Sequence, residues 1–181
     1  DGGESWLAQD SGTTGSLLDC SFANRLHGWV NGVEVLLRTT DGGATWTSTH
    51  APPRKGDSDN FWGVATPSDG IVIVCTGHGR VWRSTDNGEQ WLQVHDINDP
   101  YQVHFTNTRY GWVAGTNGRI GRSTDGGATW SEHWVVARDR APYHFPHLLY
   151  FADSLRGWIA SGLDLYASTD GGRNWMRCCD S

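Results

Sequence analysis

The sequence predicts an all-β fold, a β-propeller of four-stranded antiparallel blades, on the strength of a repeat, a strand pattern and an unusual composition. Four octamers share one pattern: TTDGGATW (39–46), STDNGEQW (84–91), STDGGATW (123–130) and STDGGRNW (168–175). With a fifth, shortened copy at the start, their aspartates fall at positions 1, 41, 86, 125 and 170, spaced by 40, 45, 39 and 45 residues. The 11 Trp and 24 Gly residues suit large aromatic side chains at repeated positions and many tight turns.

Each repeat contains four short strand-like runs. The first runs are LLDCSFA, FWGVATP, YQVHFT and LLYFA, and three of the second runs begin with Gly-Trp. A Gly-containing turn and a third run lead into the octamer, and a fourth run follows it. Four strands in a repeat of roughly 40–45 residues, with no helical period, are typical of one propeller blade.

The octamer has the composition of a tight turn between the third and fourth strands. An aspartate there can accept hydrogen bonds from backbone N–H groups of its own turn, and the glycines allow a positive φ. The tryptophan is expected to pack between adjacent blades. We therefore interpret the repeated residues as structural: Asp41, Trp46, Asp86, Trp91, Asp125, Trp130, Asp170 and Trp175.

The repeats predict one domain over residues 1–181. Approximate repeat boundaries are 7–46, 47–91, 92–130 and 131–175, and residues 1–6 (DGGESW) are the end of an incomplete blade. The run after Trp6 is then an extra N-terminal outer strand, because the run after Trp175 already supplies the fourth strand of the last blade. Two explanations stay open: the blades are part of a larger ring, or copies of the chain associate to close one.

Composition excludes several functions. The net charge of −6 gives no support to nucleic-acid binding. No apolar run approaches the roughly 20 residues that a membrane-spanning helix needs. Cys20 and Cys75 lie in apolar strand-like runs and are expected to be buried thiols, and the oxidation state of Cys178 and Cys179 stays open. No histidine or cysteine spacing matches a metal site, so we predict no metal and no cofactor.

The octamers resemble the Asp box of bacterial neuraminidase repeats, [ST]-x-D-x-G-x-x-W. Over longer stretches, YQVHFTNTRYGWVAGTNGRIGRSTDGGATW (101–130) and LLYFADSLRGWIASGLDLYASTDGGRNW (148–175) are similar to blades of the photosystem II stability/assembly factor family. This resemblance implies an exported propeller (periplasmic, extracellular or thylakoid-lumenal) that assists assembly by binding a protein and has no catalytic activity. An export signal is not present in this chain, and members of that family have seven blades.

The two longer repeats place their additional residues in loops between blades, at His50–Asn60 and His133–Pro146. These loops are expected on the face opposite the octamer turns, where propellers usually carry their sites. Basic and aromatic residues there suit an acidic or carboxylate-bearing partner, although solvated loop charges and aromatic residues covering the core are the alternatives. The predicted partner-binding residues are Arg54, Lys55, Trp134, Arg138, Arg140 and Tyr143.

A carbohydrate-active propeller, either a sialidase-like hydrolase fragment or a lectin, is the main alternative function. A sialidase uses three arginines on the substrate carboxylate, but Arg38, Arg83 and Arg122 each stand directly before an octamer. Residues at repeated positions favour a structural role, so we predict that the chain is not an enzyme. A purely architectural module of a larger exported protein is a third possibility.

Overall fold

The chain folds into four antiparallel four-stranded sheets, each in chain order, which confirms the predicted all-β blades. The computed structural model describes residues 2–53, 60–135, 146–161 and 163–178. None of these residues belongs to a helix that is long and apolar enough to cross a membrane. Sheet 1 comprises β1 (Leu17–Phe22), β2 (Gly28–Gly32), β3 (Leu36–Thr39) and β4 (Thr47–Ser48), and sheet 2 comprises β5 (Phe61–Ser68), β6 (Ile71–Thr76), β7 (Arg80–Ser84) and β8 (Leu92–Asp96). Sheet 3 comprises β9 (Gln102–Phe105), β10 (Gly111–Ala114), β11 (Arg119–Ser123) and β12 (Ser131–Trp134), and sheet 4 comprises β13 (Pro146–Phe151), β14 (Gly157–Ser161), β15 (Asp164–Ser168) and β16 (Met176–Arg177).

The sheets pack face to face. Each interface between two neighbouring sheets, here called a seam, is filled by side chains that alternate along the strands. In sheet 4, Leu149, Phe151 and Ile159 point towards sheet 3 and are buried there with Trp112. The rings of Trp112 and Phe151 stack, with centroids 3.6 Å apart. Because side chains alternate with a period of two, the neighbouring residues of the same strands point to the other face of the sheet.

Glycines make room for these aromatic rings at two positions of the repeat, although Val72 occupies the first position in sheet 2. The first belongs to the Gly-Trp pair: a Cβ on Gly157 would lie 2.4 Å from the ring of Phe151, its partner across β13 and β14. The second is the second glycine of the octamer, because a Cβ on Gly172 would lie 3.2 Å from Nε1 of Trp112 in the preceding sheet. Trp112 Nε1 also donates a 2.8 Å hydrogen bond to the carbonyl of Gly171. The octamer is therefore part of the seam as well as a turn.

The described strands do not close a ring. Contacts between innermost strands run from β1 to β5, from β5 to β9 and from β9 to β13, and no comparable contact joins β13 to β1 among the described residues. The outer faces of the two end sheets are consequently exposed. On sheet 4 this face presents Leu148, Tyr150, Trp158, Leu165 and Met176, and on sheet 1 it presents Leu18, Cys20 and Phe22.

Two expectations from the sequence are wrong. The extra outer strand after Trp6 is not formed, since residues 2–16 contain no strand. A fourth strand pairs with the third strand of its blade, and no described strand pairs with the residues that follow Trp6. The turn itself forms, with Trp6 Nε1 donating to the carbonyl of Gly3 at 3.1 Å. Cys20 is exposed, whereas Cys75 is buried, because Cys20 lies on the uncovered face of sheet 1.

Equivalent phenylalanines in the first and last sheets test whether the seams hold the fold together. Phe151 is 1% exposed and Phe22 is 44% exposed, although each pairs with the glycine of a Gly-Trp dipeptide. We expect Phe151→Ala to lower the free energy of unfolding by about 3–5 kcal/mol, the usual cost of a large cavity in a core. Phe22→Ala should cost less than about 1.5 kcal/mol, because little packing is lost at a half-exposed position. Urea denaturation of both variants measures the difference, and equal losses would contradict this account.

Candidate functional site

The antiparallel order of the strands gives the propeller two different faces. The octamer turns, which join the third and fourth strands, lie on one face, here called the box face. The turns between second and third strands lie on the opposite face, together with the connections from one sheet to the next, and we call it the loop face. Sites that vary between blades are therefore expected on the loop face, and the repeated turns occupy the box face.

The octamer aspartates are held by hydrogen bonds within their own turns. Asp41 Oδ1 accepts from the Thr39 hydroxyl at 2.7 Å and from the backbone N–H of Thr45 at 2.9 Å, and Asp41 Oδ2 accepts from the Thr45 hydroxyl at 2.5 Å. The Thr39 hydroxyl in turn accepts from the N–H of Gly43 at 2.9 Å. The same serine-to-aspartate and glycine-to-serine bonds recur at Ser84 and Asp86, Ser123 and Asp125, and Ser168 and Asp170.

These bonds lower the pKa of each octamer aspartate. The Thr45 hydroxyl and N–H lower the pKa of Asp41 to about 2, and the N–H of Gln90 has the largest effect on the pKa of Asp86. At Asp125 and Asp170 desolvation raises the pKa, but the hydrogen bonds together outweigh it, and the pKa of Asp170 is about 2. The carboxylates are thus stabilised in their ionised form by the turns that they organise.

The predicted partner-binding residues fall mostly outside the described residues. Those that lie outside, in the ranges 54–59 and 136–145, are Arg54, Lys55, Arg138, Arg140 and Tyr143. Trp134 is described, at the end of β12, and it is half-buried. The guanidinium of Arg119 lies over its ring, 5.1 Å from the centroid, and Arg119 Nη1 is 3.2 Å from Glu132 Oε2. The indole of Trp134 therefore already has a cation on its ring.

Polar side chains of the innermost strands bridge neighbouring sheets. Asp19 Oδ2 accepts from the N–H of Val64 at 3.3 Å, and Gln102 Oε1 accepts from the N–H of Leu149 at 2.7 Å. Asp19 and Gln102 each lie three residues before the phenylalanine that pairs with a Gly-Trp glycine, so the two bridges are equivalent. Burial raises the pKa of Asp19, although the N–H groups of Val64 and Cys20 oppose that shift. The side chains of Asp19 and Gln102 therefore stabilise the packing of neighbouring sheets.

A separate cleft of about 220 Å³ lies on the loop face between sheets 2 and 3. The rings of Trp62 and Tyr101 meet there edge to face, with centroids 5.8 Å apart. The turn between β6 and β7 contributes Gly77 and His78, and the connection between β8 and β9 contributes Asp99. The cleft therefore combines two aromatic rings, an imidazole and a carboxylate.

Sequence reasoning did not identify this cleft, because the connection between β8 and β9 is the shorter one and the prediction relied on long loops. Two features of the backbone bring its residues together. The pairing of β5 with β6 skips Trp62, which lies in a bulge between Phe61 and Gly63. Asp99 has φ 36°, a left-handed conformation that is rare for a residue before proline. The sequence signal that was present is the pair of aromatic residues at the starts of two consecutive first strands.

The described residues contain no group of three or more His, Cys, Asp or Glu side chains that could hold a metal ion. The predicted absence of a metal and of a cofactor stays a prediction.

Comparison with known proteins identifies the family. The family model of the photosynthesis system II assembly factor YCF48 matches residues 2–95 and 92–180. The chain belongs to this family. The photosystem II assembly lipoprotein Ycf48 of Synechococcus sp. (strain CC9902) is 33% identical over 93 residues, which are 49% of this chain and 27% of that protein. The Ycf48 protein of Thermosynechococcus vestitus (strain NIES-2133 / IAM M-273 / BP-1) is 50% identical over 42 residues, 23% of this chain and 12% of that protein.

Solved structures share the fold of this Ycf48 family member. A structure of Ycf48 bound to a D1 peptide matches with a TM-score of 0.57 and 18% identity, over 93% of this chain and 83% of that chain. A glycoside hydrolase of family GH74 from Niastella koreensis matches with a TM-score of 0.63 and 22% identity, over 88% of this chain and 24% of that chain. At such identities the likeness shows the fold alone. The chain also spans about a quarter or less of the length of the two curated relatives.

The acid stability of the protein tests the role of the octamer aspartates. Because their folded pKa lies below the unfolded value of about 3.9, they contribute stability above that pH, and the contribution is lost as the pH falls through the folded value of about 2 for Asp41 and Asp170. The free energy of unfolding should therefore fall between pH 4 and pH 2. In the double variant Asp41→Asn/Asp170→Asn this fall should be smaller.

Asp19→Asn provides a control of opposite sign. Burial raises the pKa of Asp19 in the folded protein, so acidification through that range favours the folded state at this residue. Replacing Asp19 with asparagine removes this favourable contribution, so the acid-induced loss of stability should be larger in the variant. Urea denaturation over this pH range measures both effects, and an unchanged pH dependence in the double variant would show that the octamer bonds do not stabilise the fold.

Proposed function

We propose that the chain is a non-catalytic, protein-binding propeller that acts as an assembly or scaffolding factor in the manner of Ycf48. Membership of the Ycf48 family across essentially the whole sequence carries this proposal. A Ycf48 relative has been solved with a D1 peptide, so a peptide segment of another protein is the proposed class of partner. The Synechococcus relative is a lipoprotein, which supports an exported location, periplasmic, extracellular or thylakoid-lumenal.

The long loops of the loop face remain the proposed binding surface. Arg54, Lys55, Arg138 and Arg140 carry positive charge within a chain of net charge −6, so they would mark a local basic patch. Guanidinium groups bind carboxylates in a bidentate manner, which suits an acidic segment or a free carboxyl terminus. Trp134 and Tyr143 would add aromatic contact area beside them.

The repeat-bound arginines support a non-catalytic role. Arg83 Nε donates a 3.0 Å hydrogen bond to the carbonyl of Gly126, in the octamer of the next sheet. Arg122 is buried, and its guanidinium lies 5.8 Å from the centroid of the Tyr110 ring. Arg83 thus bridges two sheets, and Arg122 is buried beside the next octamer, where a Cβ on Gly171 would lie 3.2 Å from its Nε. Neither side chain is freely exposed to a substrate carboxylate. We therefore expect no turnover of chromogenic sialosides or of xyloglucan, and hydrolysis of either would favour the carbohydrate-active alternative.

We also propose that copies of the chain associate through the exposed faces of sheets 1 and 4. The outward face of sheet 4 presents Trp158 at the position of Trp112, which in sheet 3 donates to the carbonyl of Gly171 in the following octamer. Phe22 on sheet 1 is equivalent to Phe151, which stacks on Trp112. The exposed faces of sheets 4 and 1 thus carry residues equivalent to the two sides of the seam between sheets 3 and 4. In the proposed association, sheet 4 of one copy packs against sheet 1 of another.

Charge reversal tests the binding surface. We expect the triple variant Arg54→Glu/Arg138→Glu/Arg140→Glu to bind a synthetic D1 peptide at least about tenfold more weakly than the unmodified chain, because each charge-assisted hydrogen bond is worth roughly 1.5–3 kcal/mol. Isothermal titration calorimetry gives the affinities. The control is Arg25→Glu/Arg156→Glu, a change of the same kind at turns of the box face, which should bind normally. Equal binding by all three proteins would overturn the site assignment, and no binding by the unmodified chain would overturn the proposed partner.

Sedimentation velocity tests the association of copies. The mass in solution should rise with concentration for the unmodified chain, and Leu148→Glu/Tyr150→Glu should shift the protein to the monomer, since charges would be buried in the proposed contact. Leu92→Glu is the matched control, because Leu92 is as exposed as these residues but lies on the outer strand of sheet 2. A monomer at every concentration would contradict the proposal, as would an equal effect of the control.

A further inference from the structure

The cleft between sheets 2 and 3 presents an aromatic pair to the loop face. Trp62 is 36% exposed, and its ring and that of Tyr101 are inclined at 60°. No cation lies over either ring among the described residues, whereas Arg109, Arg119 and Arg122 each lie over an aromatic ring elsewhere. The electron-rich faces of tryptophan and tyrosine attract ammonium and guanidinium groups. The aromatic half of a cation site is thus available in this cleft.

The acidic half is Asp99, an exposed residue that lines the same cleft. Its carboxylate accepts no hydrogen bond and meets no ion-pair partner within the described part of the chain, in contrast to the octamer aspartates. The segment that carries Asp99 is nevertheless firmly held. The N–H of Ile97 donates to the carbonyl of Gly79 at 2.7 Å, and the N–H of Thr116 donates to the carbonyl of Asn98 at 2.8 Å. The N–H of Tyr101 donates to the carbonyl of Ala114 at 2.9 Å.

This anchoring matters for affinity. A side chain held in place before the ligand arrives loses little conformational entropy on binding, so a small site can still be selective. The left-handed backbone of Asp99 is part of the same arrangement, because a non-glycine residue keeps such a conformation only where its surroundings impose it. The carboxylate is therefore presented at a fixed place beside the two rings.

The protein contains a comparable arrangement of aromatic ring and carboxylate in which a cation is already present. Trp134 and Glu132 hold the guanidinium of Arg119, which lies 5.1 Å from the ring centroid and 3.2 Å from the carboxylate oxygen. An aromatic ring and a carboxylate together contact one guanidinium there. Trp62, Tyr101 and Asp99 offer the same two chemical groups on the loop face.

We propose that the cleft of Trp62, Tyr101 and Asp99 binds one cationic side chain, an arginine or a lysine, of a partner protein. This proposal rests on the proposed protein-binding function and adds an acidic contact to the basic contact proposed there. The volume of about 220 Å³ suits one side chain, because sites for whole small molecules usually measure roughly 300–1,000 Å³. The net charge of −6 favours a cationic ligand over an anionic one.

The test is a titration with a blocked tripeptide, acetyl-Gly-Arg-Gly-amide, monitored by the indole N–H resonance of Trp62 in ¹H–¹⁵N NMR spectra. Trp62→Phe assigns that resonance. The same peptide with citrulline, which is neutral and of nearly the same shape, is the reference ligand. We expect the arginine peptide to shift the resonance in a saturable manner, and the citrulline peptide to bind at least about fivefold more weakly because it lacks the charge.

Two variants make the result specific. Asp99→Asn should weaken binding of the arginine peptide at least about fivefold, since the charged acceptor is lost. The arginine and citrulline peptides should then bind this variant with equal affinity. Asp96→Asn removes the same charge three residues away, at the end of β8, and should leave the affinity unchanged. Equal binding of the two peptides would overturn the proposal, as would equal effects of the two variants. A shift of Trp62 by cello-oligosaccharides but not by the arginine peptide would identify a saccharide site instead.

The same sample separates this inference from the proposed function. If the D1 peptide binds and the arginine tripeptide does not shift Trp62, the cleft proposal fails alone. If the arginine tripeptide binds and the D1 peptide does not, the cleft stands and the proposed partner is wrong. Circular dichroism and thermal unfolding of each variant confirm that a loss of binding does not reflect a loss of fold.

Discussion

A β-sheet with two apolar faces must be covered on both, and this requirement governs the whole molecule. In sheets 2 and 3 both faces are covered, and side chains such as Ile73 and Trp112 are fully buried. The seam between sheets 3 and 4 joins packing and hydrogen bonding in one place, since Trp112 stacks on Phe151 and also donates to Gly171. Several recurrent features of the sequence serve such seams. Glycines admit the rings, and the octamer turns of sheets 2 and 4 receive the tryptophan of the preceding sheet.

The division between a repeated frame and variable side chains organises the function. The box face repeats one set of hydrogen bonds four times, as at Asp41 and Asp125, and so presents much the same turn at each sheet. On the loop face the backbone also repeats, because Glu34, His78 and Asn117 occupy corresponding turns with nearly the same positive φ, but their side chains differ. A common frame that presents different groups is how repeat proteins build binding surfaces. The acidic aromatic cleft is one such group, and the basic loops are the proposed second.

Much of the fold could be predicted because local rules and the repeat agree. The octamers fix the turns, and the runs beside them form the strands of each sheet where they were expected. What could not be predicted depends on contacts between distant residues. The predicted strand after Trp6 finds no partner strand among the described residues, and Cys20 lies on the exposed face of sheet 1. The cleft depends on a bulge at Trp62 and on the left-handed Asp99, neither of which follows from loop length.

Hydrogen–deuterium exchange of the backbone amides, at a concentration low enough to keep the chain monomeric, tests most directly whether the seams hold the fold. Amides of the central strands should exchange more slowly where both faces of their sheet are covered. We expect protection in β6, β7, β10 and β11 to exceed that in β2, β3, β14 and β15 by at least about tenfold. Equal protection across the four sheets, or stronger protection in the end sheets, would contradict the account.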